Sequence, residues 1–297
     1  MQLNTFKVDS NLQSKIDYGS IEFPLEVFID DLCKYDVGFI PWHWHKEVQF
    51  AIVKKGIVEF FFLDKSFKLS EGNGVFINSN SLHQIRPVIP GSIVTNIAFN
   101  HILIGRHNLS IIDRKYISPI VNNSNLNFFI LDSNIKWNKE IITKLLEICD
   151  LYEKRDFGYE LSIKNLLCSL WLIIACNLIP SLELKSKLNR HEEERIKVML
   201  EYIHNNFSRD ISLKDIADST HISKSECCRC FKKYLRMSPF EYLMQYRIIE
   251  ASALIQNTTK PITEIMSLVG FNDASYFAKI FKKFTNYTPT QYRKQFR

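Results

Sequence analysis

FKKYLRMSPFEYLMQYR at residues 231–247 and FKKFTNYTPTQYRKQFR at residues 281–297 are one motif written twice, 50 positions apart. Seven of the 17 positions are identical: the Phe, both Lys, the Pro, the Tyr, the Gln and the final Arg. Upstream, Leu213-Lys-Asp-Ile216-Ala217 parallels Ile262-Thr-Glu-Ile265-Met266. Each unit reads as a short helix, a tight turn and a longer helix ending in aromatic-Lys-Lys. That is the helix-turn-helix plan, in which the second helix enters the major groove of DNA. The boundaries are legible. Ser212 with Asp215 resembles a capping box, and Ser223 with Glu226 has the Ser-x-x-Glu form. Ser238-Pro239 and Thr288-Pro289 place a hydroxyl cap before a first-turn proline, and Gly270 ends a helix. These signals predict helices over 193–206, 213–218, 224–236, 239–256, 262–269, 273–284 and 289–296.

Charge agrees with that reading. From Glu192 to the end the chain holds 17 Lys and Arg against 12 Asp and Glu; the remainder holds 21 against 20. The basic excess therefore lies in the last third, which suits an anionic partner for that third. Lys232-Lys233 and Lys282-Lys283 follow the anchoring Phe231 and Phe281, placed to reach phosphates while earlier turns face base edges. The helix over 239–256 spans about 27 Å at about 1.5 Å per residue. Such a spacer sets two recognition helices close to one DNA turn apart, about 34 Å.

The string Ser223-x-Ser-x-x-x-Arg229-x-Phe231-Lys232-Lys233, then Pro239-x-x-Tyr242-Leu243, Arg247, Ile265-x-x-x-Val269-Gly270-Phe271 and the second Phe-Lys-Lys–Pro–Tyr, resembles the AraC/XylS transcription regulators. The resemblance covers residues 195–297. It implies base contacts from Ser225, Cys228 and Arg229 in the first unit and from Ala274, Ser275 and Lys279 in the second. Arg236 and Asn286 stand where glycine is usual after each recognition helix, and Asn accepts the left-handed conformation there better than Arg.

The front half has another period. Residues 47–53, 57–63, 74–77 and 93–99 read as short strands separated by Gly/Asn/Ser-rich turns, the pattern of an antiparallel barrel or jelly roll. Residues 137–152 and 159–178 return to helical spacing. Pro41-Trp42-His43-Trp44-His45-x-x-x-Gln49-x6-Gly56 resembles the first cupin motif, and Gly72-x5-Asn78-x-Asn80-x2-His83 has the spacing of the second. Carried over, the resemblance picks out His43, His45, Gln49 and His83. Imidazoles suit a transition metal, but Gln49 is a poor substitute for a carboxylate ligand. Glu47 would lie on the same strand face. The expectation is an organic-effector pocket lined by Trp42, His43, His45, Gln49 and His83, with no cofactor. His43, His45 and His83 are the candidates should a metal bind.

Other signals set bounds. Residues 1–31 lack a basic-then-apolar start, so no signal peptide is expected. The most apolar stretch, 166–180, is shorter than a bilayer span of about 20 residues. Seven irregularly spaced cysteines make no disulfide framework. Cys227, Cys228 and Cys230 crowd the first recognition helix, with Cys227 and Cys230 on one face. Leu166, Leu167, Leu170, Trp171 and Ile174 suit either a dimer surface or the chain's own core. The whole reads as a two-domain α+β chain: a cupin-like antiparallel β-barrel with trailing helices (1–180), a linker (181–191) and an all-α tandem helix-turn-helix domain (192–297). The expected function is a cytoplasmic, effector-responsive, homodimeric activator acting on promoter DNA and RNA polymerase, without a membrane and not an enzyme. The alternative is a cupin metalloenzyme fused to a DNA-binding module.

Overall fold

The computed structural model describes residues 6, 8, 9, 12–63, 65–105, 110–123, 125–182 and 190–296. Among the described residues, nine strands form two antiparallel sheets. One orders β1 (Leu25–Asp31), β8 (Ile93–Phe99), β3 (Val48–Lys55), β6 (Gly74–Ile77) and β9 (Phe128–Leu131). The other orders β2 (Ile40–His43), β7 (His83–Pro87), β4 (Ile57–Phe62) and β5 (Lys65–Ser70). Among the described residues the strand pairings do not join the edges of the two sheets, so the expected jelly roll is a two-sheet sandwich in its hydrogen bonding.

Alternation along the strands builds the layers. Ala51, Val53, Val75, Ile77 and Val94 of the first sheet meet Val58, Phe60, Phe62 and Ile85 of the second in one core. Their neighbours Phe50, Ile52, Phe76, Ile97 and Phe99 point the other way. There they meet α2 (Lys136–Lys154) and α3 (Tyr159–Leu182), with α1 (Ser118–Val121) beside them. A sheet buried on both faces must be apolar at nearly every position, which is why residues 50–53 of β3 read as an unbroken apolar run instead of an alternating one. Leu167, Leu170, Trp171 and Ile174 of α3 all enter this core, and the indole of Trp171 donates to the Tyr116 carbonyl at 3.0 Å. By length and composition α3 also meets the requirement for crossing a membrane, with a third of its most apolar window buried.

The second sheet turns its outer face to the C-terminal helices. These are α4 (Arg190–Asn206), α5 (Leu213–Asp218), α6 (Lys224–Leu235), α7 (Pro239–Asn257), α8 (Ile262–Leu268), α9 (Ala274–Thr285) and α10 (Pro289–Phe296). Trp42, Leu63 and Leu82 share one core with Leu200, Phe231 and Tyr242 of the first helix-turn-helix unit. Polar bonds add to that seam. Lys197 donates to the Asn80 carbonyl at 2.9 Å. Gln256 and the Tyr292 hydroxyl reach the Asp36 carboxylate and carbonyl, both at 2.8 Å. Of the linker expected over 181–191, residues 183–189 lie outside the described residues; α3 runs to Leu182 before them and α4 begins at Arg190 after them.

The expected caps form. Ser212 with Asp215 and Ser238 with Glu241 make reciprocal capping boxes. Ser223 accepts from the Glu226 amide, while the Glu226 carboxylate turns instead to Arg229. Arg236 and Asn286 both adopt the left-handed conformation, at φ 57° and 64°. The joint between the two units rests on Arg247, which donates to the carbonyls of Phe207 and Arg209 at 2.7 Å each. Gly270 lies against it at φ +84°, where a Cβ would stand 2.7 Å from the Phe207 carbonyl oxygen and 2.8 Å from the Arg247 guanidinium. Gly72 shares the conformation (φ +83°) but has open space around it. Gly72→Ala is therefore expected to lose only the left-handed penalty, about 1–2 kcal/mol, and Gly270→Ala distinctly more, as read from urea denaturation midpoints of the full-length chain.

Candidate functional site

Between the two sheets lies a buried polar cluster. His43 ends β2 and His83 opens β7, paired directly across the second sheet, and their rings are 4.1 Å apart. His45 follows β2 and packs 5.3 Å from His83. One ring nitrogen from each of the three lies within 4.8 Å of the others. Their Nδ1 atoms contact backbone carbonyls: His43 to Pro41 at 2.8 Å, His83 to Ser81 at 2.9 Å and His45 to Glu47 at 2.9 Å. Those contacts assign the Nδ1–H tautomer and leave the Nε2 lone pairs for other work. The His83 Nε2 is buried and has no partner.

His45 is tied to a longer chain. Its Nε2 faces Gln49 Oε1 at 2.7 Å; Gln49 Nε2 donates to Asn96 Oδ1 at 2.7 Å; Asn96 Nδ2 donates to Asp30 Oδ2 at 2.7 Å. The Tyr35 hydroxyl donates to the other Asp30 oxygen at 2.6 Å. In this orientation both His45 nitrogens meet acceptors, so an imidazolium is balanced by a distant carboxylate. Turning both amides over keeps every distance and describes a neutral His45 with a protonated Asp30. Burial lowers the His45 pKa and raises that of Asp30, which favours the second arrangement. Both arrangements satisfy the chain, so a proton can sit at either end of it.

Four of the five residues expected in one pocket are thus together: His43, His45, His83 and Gln49. Trp42 is not. It precedes His43 on β2 and so projects to the opposite face, into the seam with the helices. Glu47 does not join the histidines either. Regular β3 begins at Val48, so the alternation that would carry its carboxylate inward does not reach it; what it contributes is its carbonyl. The donor set nevertheless fits a borderline transition ion, because three neutral imidazoles held by carbonyls through Nδ1 are how such ligands are oriented.

The recognition helices divide cleanly by face. On α6, Cys227, Cys230, Phe231 and Tyr234 are buried, the i, i+3, i+4, i+7 pattern of an inward stripe. Ser225, Arg229, Lys232 and Lys233 are exposed on the other side, with Cys228 half-buried. On α9, Phe277, Phe281 and Thr285 are buried, while Ala274, Ser275, Lys279, Lys282 and Lys283 are exposed. The Arg229 guanidinium is held by Glu226 at 2.6 Å. Tyr276, 49% exposed beside Ser275, was not among the sequence-expected contacts. Its signal was an aromatic on a short helix that the apolar period does not need. Burial pushes the Cys227 thiol up to about 12, which disfavours a reactive thiolate on the inward face.

Two helix-turn-helix units with outward basic faces, seated on a sheet domain with a polar interior, define a DNA-binding regulator joined to a sensor-like domain. Comparison with known proteins agrees. Residues 216–295 match the family described as a helix-turn-helix domain, and residues 26–170 match the AraC-like ligand binding domain. The HTH-type transcriptional regulator YdeC of Bacillus subtilis is 32% identical over 295 residues, 98% of this chain and 99% of that one. The HTH-type transcriptional activator RhaR of Mannheimia succiniciproducens is 23% identical over 258 residues, 86% of this chain and 88% of its own. The lactose operon transcription activator of Staphylococcus xylosus is 35% identical over 103 residues, 35% of this chain and 37% of its own. The chain belongs to the AraC-type helix-turn-helix transcriptional regulators, with a ligand-binding and a DNA-binding domain.

Burial makes the fold acid-sensitive. It holds His83 and His204 down at about 3 and His43 well below the ordinary 6.5. Between those values the unfolded chain binds more protons than the folded one, so stability is full above about pH 6.5 and falls as the pH drops towards 3, by up to about 1.4 kcal/mol per pH unit for each histidine. Asp30 and Glu250, raised by burial, work in the opposite sense, but among the described residues they are two carboxyls against five lowered histidines, His45 and His101 included. Denaturation midpoints measured from pH 7 to pH 5 should fall steeply, and His83→Gln should flatten the slope by about one histidine's share.

Proposed function

We propose that this chain is a cytoplasmic, sequence-specific transcription activator that reads two adjacent major grooves and answers to a small effector through its front domain. The observation that carries the reading is the pair of recognition helices, each anchored by a buried Phe and each presenting short polar side chains before its Lys-Lys pair. Ser225, Cys228 and Arg229 meet bases in the first groove; Ala274, Ser275 and Lys279 do so in the second. Tyr276 extends that second surface. Lys232, Lys233, Lys282 and Lys283 meet phosphates and set the register. Arg229 must exchange Glu226 for a base edge, a swap that penalises wrong sequences because the guanidinium gives up a charged partner to make it. The small Ala274 and Ser275 make direct readout weaker in the second unit. The proposed division is a ligand-binding and dimerising domain over 1–180, a linker over 181–191 and the reader over 192–297. Bound to DNA, the helical domain would contact RNA polymerase.

A homodimer through α3 fits the same scheme. Leu161, Cys168, Leu172 and Cys176 recur at helical spacing on the exposed side of this helix, and Ile112 is exposed nearby. Arg229→Ala and Lys279→Ala should weaken binding to sites selected from random duplexes by about 1–3 kcal/mol and relax the preference at single positions. Lys232→Ala or Lys283→Ala should weaken all sequences alike and reduce the salt slope by about one. A selected motif without two blocks about one helical turn apart would overturn tandem readout.

The three converging imidazoles favour a second reading, in which the front domain holds a divalent transition ion. His43, His45 and His83 would bind it, with Gln49 released from His45, and the ion would act as a Lewis acid or as the signal itself. Calorimetric titration of the metal-stripped full-length chain with Zn, Ni or Co should then show one site, lost in His83→Gln. No heat with any of the three would remove this reading and leave the organic-effector one.

A further inference from the structure

The seam between the second sheet and the helices is not filled everywhere. A cavity of about 200 Å³ opens there, walled on the sheet side by Phe6, Trp42 and Gln84 and on the helix side by Tyr242, Tyr246 and Glu250. On the order of 30 Å³ is one water's share of the liquid, so the space suits a small organic molecule. Two residues that line it carry buried N–H groups with no acceptor: the Trp42 indole Nε1 and the Gln84 amide Nε2. Both side chains are nine-tenths buried or more, Trp42 at 3% and Gln84 at 2% exposure. The Gln84 assignment is secured by its neighbour. Its Oε1 accepts from Arg86 Nε at 2.8 Å, and a guanidinium only donates, so turning the amide over is forbidden. An indole also only donates. Neither group can be satisfied by turning itself over, and each is covered by its neighbours, so an incoming oxygen meets it only when the side chains of the wall shift.

We infer that this cavity between Trp42 and Gln84 of the sheet and α7 of the reader is a binding site for a small planar molecule ending in a carboxylate or carboxamide. The aromatic walls of Phe6, Trp42, Tyr242 and Tyr246 take its flat body, and the two orphaned donors take its oxygens. The inference rests on the effector-responsive reading and deepens it, because an occupant would touch the sheet domain and α7 at once. It places the effector outside the histidine cluster, on the side of β2 that Trp42 faces, with Phe6 between the two, its ring 4.3 Å from that of His43. Lys15 and Glu250, one from each side, line the same cavity, and burial raises the Glu250 carboxyl, favouring its neutral form there.

The test uses the full-length chain. Benzoate, nicotinate, benzamide and nicotinamide are compared with the donor-only amines aniline and benzylamine by saturation-transfer NMR and thermal shift. The acids or amides are expected to bind and to stabilise, and the amines not to. Gln84→Glu keeps the acceptor for Arg86 but removes the donor, and should weaken binding about tenfold or more, the worth of one good hydrogen bond. Ala253→Trp, which fills the cavity from α7, should abolish it. Binding to selected DNA should persist in both variants without probe, which shows them folded. The inference falls if none of the four acceptor-bearing probes binds, if the amines bind equally, or if both variants bind probe like the parent. A chain that takes a probe but selects no DNA motif would instead sink the regulator reading and leave the site standing.

Discussion

Helix α7 is the constraint on which the rest depends, because it is buried along its length by three different partners. Tyr242 and Leu243 near its start enter the core of the first helix-turn-helix unit, and Ile248, Ala251 and Ile255 enter the core of the second. Its remaining side faces the sheet domain, through the cavity and, at Gln256, a bond to Asp36. A helix apolar or engaged on every side has no solvent stripe, so moving it means repacking two cores and a seam together. That is the physical basis for treating the two recognition helices as one reading head.

The same helix explains how the halves of the chain can communicate. The sheet domain touches both units at once, the first through Trp42, Leu63 and Leu82 and the second through Asp36 with Tyr292. A change at the outer face of the second sheet is felt by both. On β2, Trp42 faces that seam and His43 faces the interior histidines, so one strand has a surface in each compartment. A ligand in either proposed place would bias the same two-residue step, which is the kind of shared element that coupling requires.

The interior histidines illustrate the energetic tension in such a domain. Neutral imidazoles anchored by backbone carbonyls are well satisfied on one side, yet His83 keeps a bare nitrogen in a closed space. The amide chain from His45 to Asp30 spreads one proton over two ends without leaving a group unpaired. A fold selected for stability alone would replace these residues by apolar ones.

The reader was legible from sequence because its information is local. Caps at Ser212, Ser238 and Thr288, Gly270 at a stop and the duplicated Phe-Lys-Lys fix helix ends within a residue or two, and the 3.6-residue period separates Phe231 from Lys232. The strands over 74–77 and 93–99 were legible for the same reason. What sequence could not settle is whatever depends on which surface meets which. Period two places Trp42 and His43 on opposite faces but does not say that one face meets helices and the other a second sheet. The alternation assumed for Glu47 ends where β3 begins, and Leu167 and Trp171 suit a partner chain as well as their own core until α3 is docked. The cavity at α7 and its two unpartnered donors arise from residues more than a hundred positions apart. Only the packing of complete layers decides them, because burial is a property of the assembled molecule and not of any segment.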